Sequence, residues 1–369
     1  MIRRVRAFHI GGPTPPEVAS ARGSFAAREG VLLELSDGDA GLAYGEASPL
    51  PGFSRESLEE VVNRVVGFPW ASLRVPRQVD DLRELSIPEP SLRFAIESAL
   101  LSLLARQSGS TLPELLASGV PPVVATSVLI GSVGGDDLLV RASGAAERGA
   151  ASVKVKANAS ELVQHCDRLA ELRQRLGPIL EIRLDFNGTL AHLSRQEIVD
   201  ALEPLSQLNV AFVEEPWGGP RLLELGKLPV PWFADESLAD PHLSEALQAC
   251  PDAGGFVVKP SLLGLLGAWN VGISASEKGR AVVVSHLFEG SVALAACADL
   301  ALALATLPTA RPPGLDRHAA LASFDMPSPP ELASERAEVA HVSLPEHEAF
   351  VDRARERVRR ERPFFEWTG

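Results

Sequence analysis

The chain is poor in cysteine. Its 369 residues include three, Cys166, Cys250 and Cys297. An odd count with no close pair gives no disulfide framework and no zinc knuckle. Cys166 and Cys250 fall on apolar stripes of predicted helices, where core packing accounts for them. Long apolar runs are also scarce. The most apolar stretch, Val292 to Leu307, contains Asp299 and is short for a membrane span. The basic start, Met1 to Arg6, is not followed by an apolar segment of signal-peptide length. Positive charge is outweighed, with 35 Lys and Arg against 48 Asp and Glu and a net charge of −13. That balance argues against a broad nucleic-acid surface, while a local lysine cluster or bound cation could still receive a small anionic substrate. The glycine pairs Gly11-Gly12, Gly134-Gly135 and Gly218-Gly219 form neither a dinucleotide fingerprint nor a P-loop. These absences leave a cytoplasmic protein as the expectation, with no nucleic-acid partner and no membrane insertion.

What is present is a large apolar content, 46% of residues. It suffices for a barrel of about 250 residues with a smaller domain beside it. Residues 1–105 read as an α+β unit. Val31 to Leu35 is strand-like, Ser36 to Asp39 a turn, and Gly41 to Glu46 a return strand. The rigid loop Ser48 to Ser54 follows, then helices near Glu56–Val66 and Pro90–Ala105. Residues 106–330 change to strict alternation, beginning with a strand over Val123–Leu129. Ser194-Arg195-Gln196-Glu197 has the form of a capping box, and Asp240-Pro241 places an N-cap before a helix-starting proline. Residues 331–369 form a charged tail, with Arg353, Arg355, Arg357, Arg359, Arg360 and Arg362 interleaved with Glu356 and Glu361. A solvated helix is expected there, and Phe364, Phe365 and Trp367 are expected to dock the tail onto the body.

Six short apolar runs carry the chemistry. They end in Lys154-Val155-Lys156, Asp185, Glu214, Asp235, Lys259 and Ser285. The three carboxylates and Lys259 follow one another at 29, 21 and 24 residues (185 to 214, 214 to 235, 235 to 259). Each gap has room for one loop, one helix and one strand, which favours a (β/α) barrel. In such a fold reactive groups collect at the C-terminal ends of the strands. A lone acidic residue there ordinarily caps the next helix. Three in succession, flanked by lysines, instead predict a site for a hard divalent cation such as Mg²⁺. Lys154 and Lys156 share a face of their strand, and two neighbouring ammonium groups lower each other's pKa towards that of a usable base. A lysine beside a metal fits abstraction of a proton alpha to a carboxylate, with the ion stabilising the enolate.

Together, Lys154-Val155-Lys156, Asp185-Phe186-Asn187, Glu214-Glu215-Pro216, Asp235-Glu236-Ser237 and Lys259-Pro260 resemble the muconate-cycloisomerase branch of the enolase superfamily. Gly45 to Ser54 and Phe288-Glu289-Gly290-Ser291 are similar to stretches of the o-succinylbenzoate synthases. The resemblance implies a modified TIM barrel with an N-terminal capping domain, which the tail would help complete. It further implies Mg²⁺ (or Mn²⁺) bound by Asp185, Glu214 and Asp235, with Asn187, Glu215 and Glu236 supporting those ligands. Lys156 would be the general base, Lys154 would tune it, and Lys259 would be a cation on the opposite face. Ser285, Glu289, Ser291 and Phe53 would contact a small carboxylate substrate. The implied reaction is syn dehydration of 2-succinyl-6-hydroxy-2,4-cyclohexadiene-1-carboxylate to o-succinylbenzoate, a step of menaquinone synthesis. Gly188 departs from relatives that carry a side chain after the asparagine. The alternative is an N-acylamino acid racemase or another 1,1-proton-transfer epimerase with the same site, and a more distant one is a non-catalytic binding barrel. Dipeptide epimerases carry a D-x-D after the last strand, and neither Asp316-Arg317-His318 nor Asp325-Met326-Pro327 supplies it. A homo-oligomer is compatible with all of these readings.

Overall fold

The computed structural model describes residues 1–14, 19–20, 23–38, 41–178, 180–315, 341–343, 356 and 361–369. The chain opens with β1 (Arg4–Pro13), a short ribbon of β2 (Ala19–Ser20) and β3 (Gly23–Ser24), then β4 (Ala27–Ser36) and β5 (Leu42–Ala47). The helices α1 (Leu58–Gly67), α2 (Pro90–Ser108) and α3 (Leu112–Leu116) follow. β1, β4 and β5 form an antiparallel sheet, and the last strand of the chain, β15 (Phe365–Thr368), adds to the free edge of β1. Phe364, Phe365 and Trp367 pack on the main core as the tail returns. Arg353, Arg355, Arg357, Arg359 and Arg360 lie outside the described residues, as do both candidate D-x-D positions.

Each face of this sheet is covered. Val31, Leu33 and Leu35 of β4 join the main core with the helices, whereas Leu32, Phe8, Ile10 and Tyr44 on the other face pack with Val292 of the barrel. α1 starts at a reciprocal cap in which Ser57 accepts from Glu60 N and the Glu60 carboxylate accepts from Ser57 N. α2 begins with Pro90 at its first turn and stops at Gly109, which has φ 67°. It is buried on nearly all sides because it lies between the sheet and the barrel.

The second unit alternates β6 (Val123–Ala125), β7 (Ser127–Ser132), α4 (Leu138–Glu147), β8 (Ser152–Lys156), α5 (Ala159–Leu176), β9 (Glu181–Asp185), α6 (Arg195–Ser206) and β10 (Val210–Glu214). It continues with β11 (Trp232–Ala234), α7 (Pro241–Ala249), β12 (Gly255–Val258), α8 (Pro260–Leu263), α9 (Leu265–Glu277), β13 (Ala281–Val284) and α10 (Ser291–Leu304). β7 to β13 form one parallel sheet in chain order. The extended segment after α10 joins its two edges. Gly314 N donates to Val284 O on one side, and Pro313 O accepts from Ser127 N at 2.8 Å on the other. The result is an enolase-type (β/α) barrel. Inside its floor Phe212 and Phe233 stack at 3.7 Å, Arg183 lies over Phe212, and Val257 and Val283 complete the layer.

All six apolar runs are strands of this sheet, and the caps at Ser194 and Asp240 form as the sequence requires. Two expectations change. The run Val123–Leu129 is divided at Thr126, and β6 leaves the barrel to pair antiparallel with β14 (His341–Ser343). Between β10 and β11 no α-helix forms. The shortest gap, interrupted by Pro216, Pro220, Pro229 and Pro231, holds only the 3₁₀ turn Gly219–Glu224.

The contact between sheet and helix α2 depends on one glycine. A Cβ at Gly45 would land on the backbone carbonyl of Ala95. Gly45→Ala is expected to destabilise the fold by about 2 kcal/mol or more, since the obstacle is backbone and cannot move aside. Urea unfolding measures this, and a wild-type midpoint would contradict the close approach.

Candidate active site

Three consecutive strands deliver the carboxylates. Asp185 ends β9 and Glu214 ends β10, and Asp235 follows β11. The three are buried, at 3%, 1% and 1% exposure. On β8 the residues alternate, so Val153 and Val155 are in the core while Lys154 and Lys156 face the barrel mouth. Lys154 Nζ stands between two strands, 2.8 Å from Asp185 Oδ2 and 2.6 Å from Glu214 Oε2. From the far side, Lys259 Nζ is 2.6 Å from Asp235 Oδ1, donates to Oδ2 at 2.8 Å, and is 3.1 Å from Glu236 Oε1.

The residues just beyond the strands hold this cluster in place. Asn187 donates its side-chain amide to Glu236 Oε1 at 3.2 Å and its backbone N–H to Asp185 Oδ1 at 3.1 Å. Glu215 accepts from Asp235 N at 2.8 Å, from Ser237 N at 3.1 Å and from the Ser237 hydroxyl, so it braces the loop that presents Asp235 and Glu236. Asn187 and Glu215 both have positive φ, 44° and 43°. Such backbone is sparsely populated by residues other than glycine and marks a turn imposed by its surroundings. Gly188 follows at φ 76°, a conformation that glycine adopts freely and other residues rarely do.

Charge dominates the site. Five carboxylates (Asp185, Glu214, Glu215, Asp235 and Glu236) face three lysines, a formal excess of two negative charges. Burial pushes Asp235 well above the usual carboxylate range, and repulsion by Glu236 adds to it. Burial, with Asp185 beside it, likewise raises Glu214, and burial with Glu236 raises Glu215 to about 8. For Asp185 burial acts in the same sense, but Lys154 and Lys156 overcome it and hold the group below its ordinary value.

The lysines divide. Burial depresses Lys154 and Lys259, yet their carboxylate partners reverse the effect and keep both above the normal lysine range. Lys156 alone is lowered: burial drives it down against the pull of Asp185 and Glu236, and the positive charges of Lys154 and Lys259 act with burial.

The donor set suits a hard divalent cation. It consists of buried carboxylate oxygens, and it carries the surplus negative charge such an ion would neutralise. Asp235 Oδ1 and Glu236 Oε2 are buried without a hydrogen bond, although the former has its ion contact with Lys259. Among the described residues no group of three or more His, Cys, Asp or Glu is drawn together tightly enough to hold an ion in this arrangement, with Lys154 Nζ standing between two of the candidate ligands.

A cavity of about 650 Å³ opens beside the cluster. Asn187, Glu215 and Glu236 form its inner wall, Phe53 and Arg55 reach in from the loop after β5, and His242 is on its rim. Of the expected substrate contacts, Phe53 therefore lines the cavity. Ser285 is half-buried at the end of β13 and donates to Gly314 O at 3.3 Å. Glu289 is turned inward instead. It is 1% exposed and accepts from the Ser261 hydroxyl and Leu287 N, so its oxygens are engaged in structure. Ser291 is buried in the first turn of α10. Sequence reasoning passed over Ser237, which its place directly after Asp235-Glu236 could have signalled, and Arg28, a lone arginine entering the apolar strand β4.

Residues 137–341 match the family described as enolase C-terminal domain-like, and residues 3–103 match the MenC N-terminal domain. The o-succinylbenzoate synthase of Aliivibrio salmonicida is 30% identical over 279 residues, covering 74% of this chain and 78% of that protein. That of Salmonella arizonae is 30% identical over 297 residues, covering 78% and 82%. Among solved structures, the N-succinyl Arg/Lys racemase from Bacillus cereus has a TM-score of 0.75 over 99% of both chains at 15% identity, a likeness of fold. A dipeptide epimerase from Methylococcus capsulatus, solved with Mg and the dipeptide L-Arg-D-Lys, is 26% identical with a TM-score of 0.71, covering 85% of this chain and 90% of its own. The matches to both halves of the chain and to about four-fifths of the length of two synthases agree with the barrel and its charged mouth: this chain belongs to the o-succinylbenzoate synthase family of the enolase superfamily.

Proposed function

We propose that this protein is a divalent-metal-dependent hydro-lyase that dehydrates 2-succinyl-6-hydroxy-2,4-cyclohexadiene-1-carboxylate to o-succinylbenzoate, the menaquinone-pathway reaction of its family. The observation that carries the division of roles is the contrast between the lysines: Lys156 depressed, Lys259 held cationic by Asp235 and Glu236. Asp185, Glu214 and Asp235 would hold the ion, Mg²⁺ by preference with Mn²⁺ as a substitute, and its chemistry is to stabilise negative charge developing on the substrate carboxylate. Asn187, Glu215 and Glu236 keep those ligands oriented. Lys156, as the free amine, takes the proton alpha to the carboxylate. Its ammonium form then gives that proton to the departing hydroxide on the same face. One C–H bond and one C–O bond break, water leaves, and the ring becomes aromatic. Lys154 keeps a positive charge beside the developing anion, and Lys259 does so from the opposite side. The capping unit, residues 1–105 together with the end of the tail, closes the cavity through the loop bearing Phe53.

Racemisation by the same site would need Lys259 to give and take a proton. Its grip on two carboxylates supports the one-base dehydration instead.

Replacing Lys156 by Ala is expected to lower dehydration by about 10²–10⁴-fold, the usual contribution of a positioned acid–base group. Steady-state turnover of the cyclohexadiene substrate measures it, and undiminished turnover would remove Lys156 from the mechanism. The base must be unprotonated, so kcat/KM should rise with pH and level off below about 10.4, the ordinary lysine value. A limb that continues past that value would contradict the lowered Lys156. Added Mg²⁺ should raise the melting temperature of the wild type and leave Asp235→Asn unaffected. Equal stabilisation of both proteins would exclude Asp235 as a ligand.

A further inference from the structure

Two barrel helices begin at a glycine and so have no side-chain cap of their own. α9 follows Gly264 and α10 follows Gly290, and neither glycine can offer an acceptor. Both helices are capped from the N-terminal unit. Glu97 on α2, paired with Arg93 at 2.7 Å, accepts from Leu266 N in the first turn of α9. Glu46 on β5 accepts from Gly290 N at 2.6 Å and from Ala293 N at 3.2 Å, two donors left free at the start of α10.

Arg28 on β4 works beside Glu46. It is 1% exposed and faces the charges of Glu289 and Glu46. One edge of its guanidinium donates to Ser48 O at 2.7 Å and Pro49 O at 2.8 Å, in the loop that carries Phe53. The other donates to Phe288 O at 2.9 Å and Leu287 O at 3.4 Å, in the loop after β13. Four carbonyls from two units thus converge on one buried cation. Phe288 itself has φ 57°, a conformation its own side chain disfavours, so the loop takes its shape from what grips it. Leu50, Phe53, Leu262 and Leu287 fill the space alongside.

We propose that Arg28 and Glu46 are positioning residues: they lock the loop after β13 to the capping loop and so set the positions of Ser285 at the end of β13 and of Phe53 in the cavity wall. Neither touches the reacting atoms. The inference rests on the reading that the substrate lies under the cap, beside these two residues.

The test compares Arg28→Met and Glu46→Ala with Glu97→Ala, which removes the equivalent cap from α9 and leaves the loop after β13 alone. Dehydration kinetics, affinity for o-succinylbenzoate by calorimetry, and melting with and without Mg²⁺ are measured on the full chain. Arg28→Met and Glu46→Ala should raise KM and the product Kd about tenfold, with kcat within about threefold, the pattern of lost uniform binding. The Mg²⁺-dependent rise in melting temperature should persist in both. Glu97→Ala should lower the melting temperature and keep the wild-type KM. Glu46→Gln, which retains one acceptor oxygen, should recover most of the affinity. Should Arg28→Met not fold, Arg28→Lys takes its place, with an intermediate KM expected. Wild-type KM and product affinity in folded Arg28 and Glu46 variants would overturn the inference and leave the activity standing. A wild-type protein that neither turns over the substrate nor binds the product would overturn both.

Discussion

Too much negative charge is buried at the mouth of this barrel, and the rest of the site is arranged around that constraint. Five carboxylates gathered where water is scarce repel one another and resist desolvation, and three lysines do not balance them. Buried charge persists in a fold only when paired or hydrogen-bonded, and removing one partner of a buried pair costs roughly 3–5 kcal/mol. The pairs seen here are short on both sides, Lys154 between Asp185 and Glu214, Lys259 against Asp235 and Glu236. Such a cluster is a poor way to stabilise a barrel, since apolar residues of similar volume would do as well or better. Its arrangement makes sense as a receptor for positive charge.

The backbone bears part of the cost. Asn187 and Glu215 both leave their strands through positive φ, and each then turns a polar group back onto the neighbouring loop. Parallel strands alone would set the carboxylates about 4.8 Å apart along one rim. The turned residues add a second layer of hydrogen bonds that fixes the direction of Asp185 and Asp235. Precision at the mouth therefore comes from loops braced by one another, over a floor of stacked phenylalanines that has no chemistry of its own.

Much of this was readable from the chain. An apolar run ending in a charged residue is a local signal, and all six runs became strands in the expected order. The caps at Ser194 and Asp240 are local too, and they formed. What escaped notice depends on distant partners. Nothing near Thr126 says that β6 will leave the barrel for β14. The segment that joins the barrel edges contains Pro312-Pro313 and does not look like a strand. Glu289 sits in a motif that resembles a substrate-binding loop, yet its carboxylate is consumed by Ser261 and Leu287. Its role could be judged only once the neighbours were known.

The same charge cluster explains how three lysines of one chemical type come to differ. Lys154 and Lys259 each hold two carboxylates within ion-pairing distance, so protonation is enforced on them. Lys156 lies on the same strand face as Lys154 but without an ion pair among the described residues, and it feels the other two ammonium groups as repulsion. Its free-amine form is favoured first by burial, and the two ammonium groups add to that against the pull of Asp185 and Glu236. A cation added among the carboxylates would compete with Lys154 and Lys259 for their partners and would itself repel a proton on Lys156. That added positive charge close by would make Lys156 a more available base at neutral pH. The basicity of one lysine is thus set by its burial and by the balance of carboxylate and ammonium charge left around it.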